Sequence, residues 1–214
     1  MNIKTLHLGA LNSNCYIMET ADGQCIAVDI GGTPKIVIEY LKMKNLKLTK
    51  ILLTHGHFDH IDGVEAVRRE TDAEVFIHAD DAEKLSDENK SLRSSMYFVS
   101  EPYMPVEKYS IVHDGDEITD GNYTFHVIHT PGHSKGSVCY VTDGVIFSGD
   151  TIFCCSIGRT DFPDSNTDDM IQSLKKLYSI EGDYKILAGH NEPSTLEYEK
   201  KNNPYMRKYG AKND

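Results

Sequence analysis

Four short apolar runs in this chain each lead into residues that chelate cations, and the pattern makes sense only if four strand ends meet at one edge. The densest is Thr54-His55-Gly56-His57-Phe58-Asp59-His60, directly after Ile51-Leu52-Leu53. His133 closes Thr130-Pro131-Gly132-His133, Asp150 closes Phe147-Ser148-Gly149-Asp150, and His190 closes Leu187-Ala188-Gly189-His190. Strand ends on one side of a sheet converge in space, so the order predicts an α/β fold with these stretches gathered together. Imidazole and carboxylate donors suit a borderline divalent ion, Zn2+ first, with Fe or Mn also accepted by the same set.

His55 and His57 lie two apart, so an extended segment projects both to one side, and Gly56 lets the backbone turn closely around an ion. Asp59 and His60 fall in the first turn of the next helix and point elsewhere. One loop can thus feed two neighbouring ions, His55 and His57 serving one, Asp59 and His60 the other. Asp150 offers two carboxylate oxygens and is the natural bridge. Ordinary loop histidines are the plainer explanation, but seven ligand-type residues, each behind a strand, exceed it. Structural zinc usually closes its shell with four protein ligands, often including Cys; a shared carboxylate leaves positions open, which points to catalysis. The remaining histidines (His7, His78, His113, His126 and His129) lack such spacing and read as satisfied or exposed.

A length of 214 residues with 39% hydrophobic content allows one sizeable core or two similar halves. A net charge of −11 argues against nucleic acid as a partner and fits a solvated acidic surface. No apolar stretch approaches membrane-spanning length, and Met1 to Ala10 lacks the features of a secretory signal. The five cysteines show no zinc-finger spacing. They read as free thiols in a reducing compartment, the cytoplasm. Cys154 and Cys155 are expected to be small residues at least half buried, with one of them a candidate for the pocket wall.

Strands are expected over Ile3 to Leu8, Cys15 to Thr20, Cys25 to Ile30, Ile51 to Leu53 and Glu74 to His78, with helices opening at Pro34 and running from Ile61 to Glu70. The second half reads as strands at Ile111-Val112, Tyr123 to His129, Val138 to Val141, Val145 to Ser148 and Ile186-Leu187. A helix over Thr167 to Tyr178 and a short one from Ser194 complete it. Two sheets with helices outside account for this order. The stretch from Asp80 to Lys108 is the least regular and reads either as a lid or as a surface loop with apolar anchors.

The histidine run, Thr130-Pro131-Gly132-His133, Ser148-Gly149-Asp150-Thr151 and Gly189-His190 together resemble the metallo-β-lactamase superfamily over most of the chain. The resemblance implies an αββα four-layer sandwich formed as one domain over 1–214. It also implies that His55, His57 and His133 bind a first metal, that Asp59, His60 and His190 bind a second, and that Asp150 bridges them. Within the superfamily the chain looks most like glyoxalase II and its shorter relatives. Thr151-Ile152-Phe153, Gly158-Arg159-Thr160-Asp161-Phe162-Pro163 and Asn203-Pro204-Tyr205 match the pocket strip of the short hydrolases. Arg159 matches a basic residue that helps hold the acidic substrate there; its alternative is a surface ion pair with Asp161 or Asp164. The expected domain over 1–214 is one without the C-terminal helical extension that helps glyoxalase II bind glutathione.

The expected chemistry is hydrolysis of a small-molecule thioester by a hydroxide shared between two divalent ions, with Asp59 orienting it. A thiol, with a pKa near ~8.5, leaves without a strong acid, so a thioester is favoured over a penicillin-type amide. Two alternatives stand beside this. One is a persulfide dioxygenase, which shares the fold and motif but uses a single iron at His55, His57 and His133. The other is a non-catalytic metal-binding protein. The acyl group, the thiol carrier, the metal and the oligomeric state stay open.

Overall fold

The computed structural model describes residues 1–97, 99 and 102–211. The first sheet takes β1 (Asn2–Leu8), β2 (Ser13–Ala21), β3 (Gln24–Val28), β4 (Lys47–Leu52), β5 (Glu74–His78) and β6 (Ser110–Val112) in that order across the sheet. The first two pairings are antiparallel and the next three parallel. The parallel crossovers carry α1 (Pro34–Lys44), α2 (Phe58–Ile61) and α3 (Val64–Thr71). The second sheet is formed by β7 (Glu117–Asp120), β8 (Tyr123–His129), β9 (Val138–Thr142), β10 (Val145–Gly149), β13 (Lys185–Ala188) and β14 (Ser194–Thr195). A small hairpin, β11 (Ile152–Phe153) and β12 (Ser156–Ile157), stands apart from it. Helices α4 (Thr167–Tyr178) and α5 (Leu196–Asn202) follow in the second half.

Strand alternation assigns the layers. On β2, Tyr16 and Met18 join the core between the sheets, while Cys15 and Ile17 face the helices on the other side. Ile26 and Val28 against Cys25 and Ala27 repeat the pattern on β3. On the second sheet Tyr140 and Phe147 turn inward, and Cys139 and Ile146 turn outward to Met170, Leu174 and Leu177 of α4. Residues two apart on a strand share a face, so both sheets, buried on both sides, require a helix layer outside each. The result is the αββα order expected from the sequence.

The expected helix over Ile61 to Glu70 is two pieces. Gly63 N–H donates to Ile30 O at 3.0 Å and Ile30 N–H donates to His60 O at 2.9 Å. These bonds staple the break between α2 and α3 to the end of β3. A Cβ on Gly63 would overlap Gly31 O, so glycine is required at this close approach. The β11–β12 hairpin, β7, β14 and a π-helical turn at Met206–Gly210 were not anticipated. Most of these are too short to show a period.

Candidate metal centre

The candidate ligands lie on the segments that follow β4, β8, β10 and β13, with Asp59 and His60 on α2. The side-chain donors form two triads, His55 with His57 and His133, and Asp59 with His60 and His190; within each, the ligand atoms lie within 4.8 Å of one another. Asp150 faces both. Its Oδ2 lies 3.5 Å from His133 Nε2 and 3.6 Å from His190 Nε2, and its Oδ1 lies 3.5 Å from His60 Nε2. Asp29, His55 and His60 form a further group with donor atoms within 4.8 Å of one another, so the two triads lie side by side in one continuous cluster.

Hydrogen bonds on the far ring nitrogens fix which nitrogen is aimed inward. His133 Nδ1 donates to the carbonyl of Arg159 at 2.9 Å, which leaves Nε2 with its lone pair toward the cluster. His60 Nδ1 lies 2.9 Å from Asp29 Oδ2 and turns Nε2 toward Asp59 and Asp150. Thr54 Oγ1 donates to Asp29 Oδ2 at 2.7 Å and so accepts from His55 Nδ1 at 3.1 Å. His55 Nε2 is then an acceptor, and it is buried without any hydrogen-bond partner. Asp150 Oδ1 is buried and without a hydrogen-bond partner as well. His57 Nδ1 sits 2.9 Å from His133 Nε2, near the separation of about 3.3 Å that two nitrogens have on one tetrahedral zinc. Orphaned buried acceptors are costly, and a cation between them satisfies several at once.

The electrostatics point the same way. Burial, reinforced by the neighbouring imidazoles, pushes His55 and His57 below the usual histidine range, so both offer lone pairs at neutral pH. Burial would also discharge His60, but Asp59, Asp150 and Asp29 outweigh it and lift its pKa to about 10. For Asp59, burial opposes ionisation, yet His60 and His190 hold the carboxyl well below its ordinary value. The carboxylates that draw a proton onto His60 would draw a metal cation into the same space.

Two supporting carboxylates escaped the sequence reading. Asp29, with φ 54° at the end of β3, accepts from Thr54 N at 2.8 Å as well as from Thr54 Oγ1 and His60. Asp81 is fully buried and accepts from Gly56 N at 2.7 Å, Gly136 N at 2.8 Å and Ser134 Oγ at 2.7 Å, so it ties the two loops of the first triad together. Both follow a strand, as Asp150 does, but neither has the glycine that directly precedes His133, Asp150 and His190.

Leu92 and Met96 of the irregular segment wall a cleft of about 710 Å³ that opens on His57, Asp59, His133, Asp150 and His190. The rest of that wall is mostly apolar, with Leu11, Phe58, Phe153, Ile157 and Phe162. The segment is thus anchored on the site; its Phe98 lies outside the described residues. Arg159 also lines the cleft, yet its guanidinium grips Asp161 through contacts of 2.6 and 2.8 Å and lies 4.4 Å over the Phe162 ring. Asp164 pairs with Lys84 instead. One expectation needs correction. Cys154 and Cys155 are exposed and do not line the cleft, because they form the turn of the β11–β12 hairpin. His78 and His129, read as satisfied or exposed, stack at 4.0 Å near Asp80, with His78 Nδ1 accepting from Asp80 N at 3.3 Å and His129 Nε2 lying 2.8 Å from Lys135 O. Their planes are 12° apart, so their lone pairs run side by side rather than converge on one ion.

Residues 8–190 match the model of the metallo-beta-lactamase superfamily. The chain belongs to this superfamily. Metallo-beta-lactamase relatives align almost end to end. The probable metallo-hydrolase YqgX of Bacillus subtilis is 32% identical, with 96% of this chain and 98% of that protein covered. The hydroxyacylglutathione hydrolase GloC of Haemophilus influenzae is 27% identical over the same shares. Among solved metallo-beta-lactamase folds, the BLEG-1 B3 metallo-beta-lactamase superposes with a TM-score of 0.87 at 33% identity, covering 96% of this chain and 99% of that one. TTHA1623 in a di-iron-bound form gives 0.83 at 31%, covering 94% and 99%. ETHE1 from Myxococcus xanthus gives 0.74 at 25%, covering 95% and 84%. Superfamily membership makes the chain a metallo-hydrolase relative whose histidine-rich clusters are candidate sites for two divalent ions.

Proposed function

We propose that this chain is a metal-dependent hydrolase of small-molecule thioesters. One observation carries the reading. Among the described residues that wall the cleft, the acid–base groups are the five candidate ligands and Arg159, and Arg159 is held by Asp161. An amine leaving group needs a proton donor, whereas a thiol with a pKa near ~8.5 departs as thiolate. The apolar wall suits an acyl chain or the body of a thiol carrier.

His55, His57 and His133 would hold one ion and Asp59, His60 and His190 the other, with Asp150 reaching both. Two bound divalent ions, Zn2+ by donor set, would lower the pKa of a coordinated water from about 15.7 toward about 7 and polarise the carbonyl. Asp59, kept ionised by His60 and His190, orients the attacking water. Phe58, Phe153 and Phe162 exclude bulk water from the reacting carbonyl. Arg159 sits at the cleft wall to meet an acidic group of the substrate. The five free thiols fit a chain that works in the reducing cytoplasm.

Release of thiol from a panel including lactoylglutathione and acyl-CoA thioesters tests the reading under full metal loading. Turnover that is lost in His57→Ala with the fold intact supports it; no turnover with any member overturns it. A second reading, the mononuclear-iron persulfide dioxygenase, draws on the His55–His57–His133 triad being complete by itself. One iron per chain with oxygen uptake on a persulfide would favour it.

A further inference from the structure

A second donor cluster lies outside the histidine centre. The turn between β11 and β12 is Cys154-Cys155, with Cys155 at φ 55°, and both side chains are exposed. One donor atom from each of Cys154, Cys155 and Glu199 lies within 4.8 Å of the other two. Glu199 on α5 is fully buried. Its carboxylate accepts from Cys155 N at 2.9 Å, from Asn203 Nδ2 at 2.8 Å and from Ser194 Oγ. These donors are all neutral, and no lysine or arginine among the described residues forms a salt bridge with Glu199. A buried carboxylate without a cationic partner is expensive, and two thiols stand beside it.

We propose that Cys154, Cys155 and Glu199 form a separate binding site for a soft or borderline divalent cation of the zinc and cadmium type. Two sulfurs on one such ion, at about 2.3 Å each, sit roughly 3.8 Å apart in tetrahedral geometry, which adjacent thiols on a turn reach by side-chain rotation. Thiolate donors select such ions over calcium or magnesium. Burial, and then the Glu199 charge, push the Cys154 thiol up, so the ion must displace its proton. Uptake forms two metal–sulfur bonds and releases two protons to solvent; no atom changes oxidation state. The net charge of the cluster stays at −1, with solvent completing the coordination shell. The ion would tie the hairpin to α5, an attachment that Asn203 already makes through Ser156 O at 2.9 Å. Phe153 and Ile157 of that hairpin wall the cleft, so occupancy would hold one side of it in place. The site stands whether or not the substrate is a thioester.

The test is a Cd2+ titration of protein whose histidine centre is already loaded, in a non-thiol reductant. The near-ultraviolet sulfur-to-cadmium band and the metal content are read together. The expected result is uptake of one further ion with the band. Cys154→Ser and Cys155→Ser each lose both, while metal at the histidine centre and basal activity are unchanged. Glu199→Gln weakens uptake about tenfold or more and keeps the band. Absence of the band, its survival in the double serine variant, or thiol counting that shows the two sulfurs joined to each other with no ion taken up would each overturn the proposal.

Discussion

At the scale of single residues, the site works because unremarkable neighbours decide where each imidazole points. Asp29 is the clearest case, since it fixes His60 directly and His55 through Thr54. Asp29→Ala is expected to lower metal affinity about 10–100-fold with little loss of secondary structure, measured by competition against a chromophoric chelator and by circular dichroism. Arg159 carries a different expectation. Because Asp161 occupies its guanidinium, Asp161→Ala should lower KM for an acidic thioester and Arg159→Ala should raise it, with kcat nearly unchanged in both. Unchanged KM in the pair would remove Arg159 from substrate binding. The candidate ligands were legible because five histidines behind strands are a rare arrangement, with Asp59 inside the histidine run and Asp150 behind Gly149 as His133 and His190 are behind their glycines. Asp29 and Asp81 were not, because a lone aspartate after a strand is also an ordinary turn residue.

At the scale of elements, short contacts between loops and helices set the precision of the centre. A Cβ on Gly189 would overlap Asp150 Oδ1 and come within 2.6 Å of His60 Cε1. Gly189→Ala should therefore leave the fold intact and bring metal content well below that of the wild type, as read by elemental analysis. Helix α3 is held from the other side. Glu65 is fully buried and pairs with Arg68 at 2.7 Å and Arg69 at 2.6 Å. Burial opposes its ionisation, but the two guanidinium groups outweigh it and bring its pKa down to about 2. A carboxyl depressed in the folded state stabilises fully above its unfolded value near ~4.3. That contribution fades as pH falls through about 2. Glu65→Gln should cost about 3–5 kcal/mol at neutral pH and flatten the fall in stability between these limits, as read by urea melts. Helix α4 matched its expected span because an acidic first turn and a clear 3.6-residue period mark it. The β11–β12 hairpin was not foreseen, since two-residue strands carry no period, and so the exposure of Cys154 and Cys155 was misjudged.

At the scale of the whole molecule, the first half of the chain supplies four of the seven candidate ligands and the second half three. The loops after β4 bring His55, His57, Asp59 and His60; the second sheet brings His133, Asp150 and His190. Two sheets with helices outside were readable from the order of strands and helices, and the four-layer sandwich from the resemblance to the superfamily. The topology within each sheet was not, because strand pairing depends on contacts far apart in the sequence. Since the ligands span both sheets, bound metal should link the halves. Chelator-treated protein should melt at a lower temperature than loaded protein. The most direct test of the account is the number of ions per chain in protein purified without chelator, compared with His190→Ala. The account predicts two ions in the wild type and one in the variant, with thioester hydrolysis following the second ion. A wild-type chain that holds one ion or none, or a variant that still holds two, would contradict it.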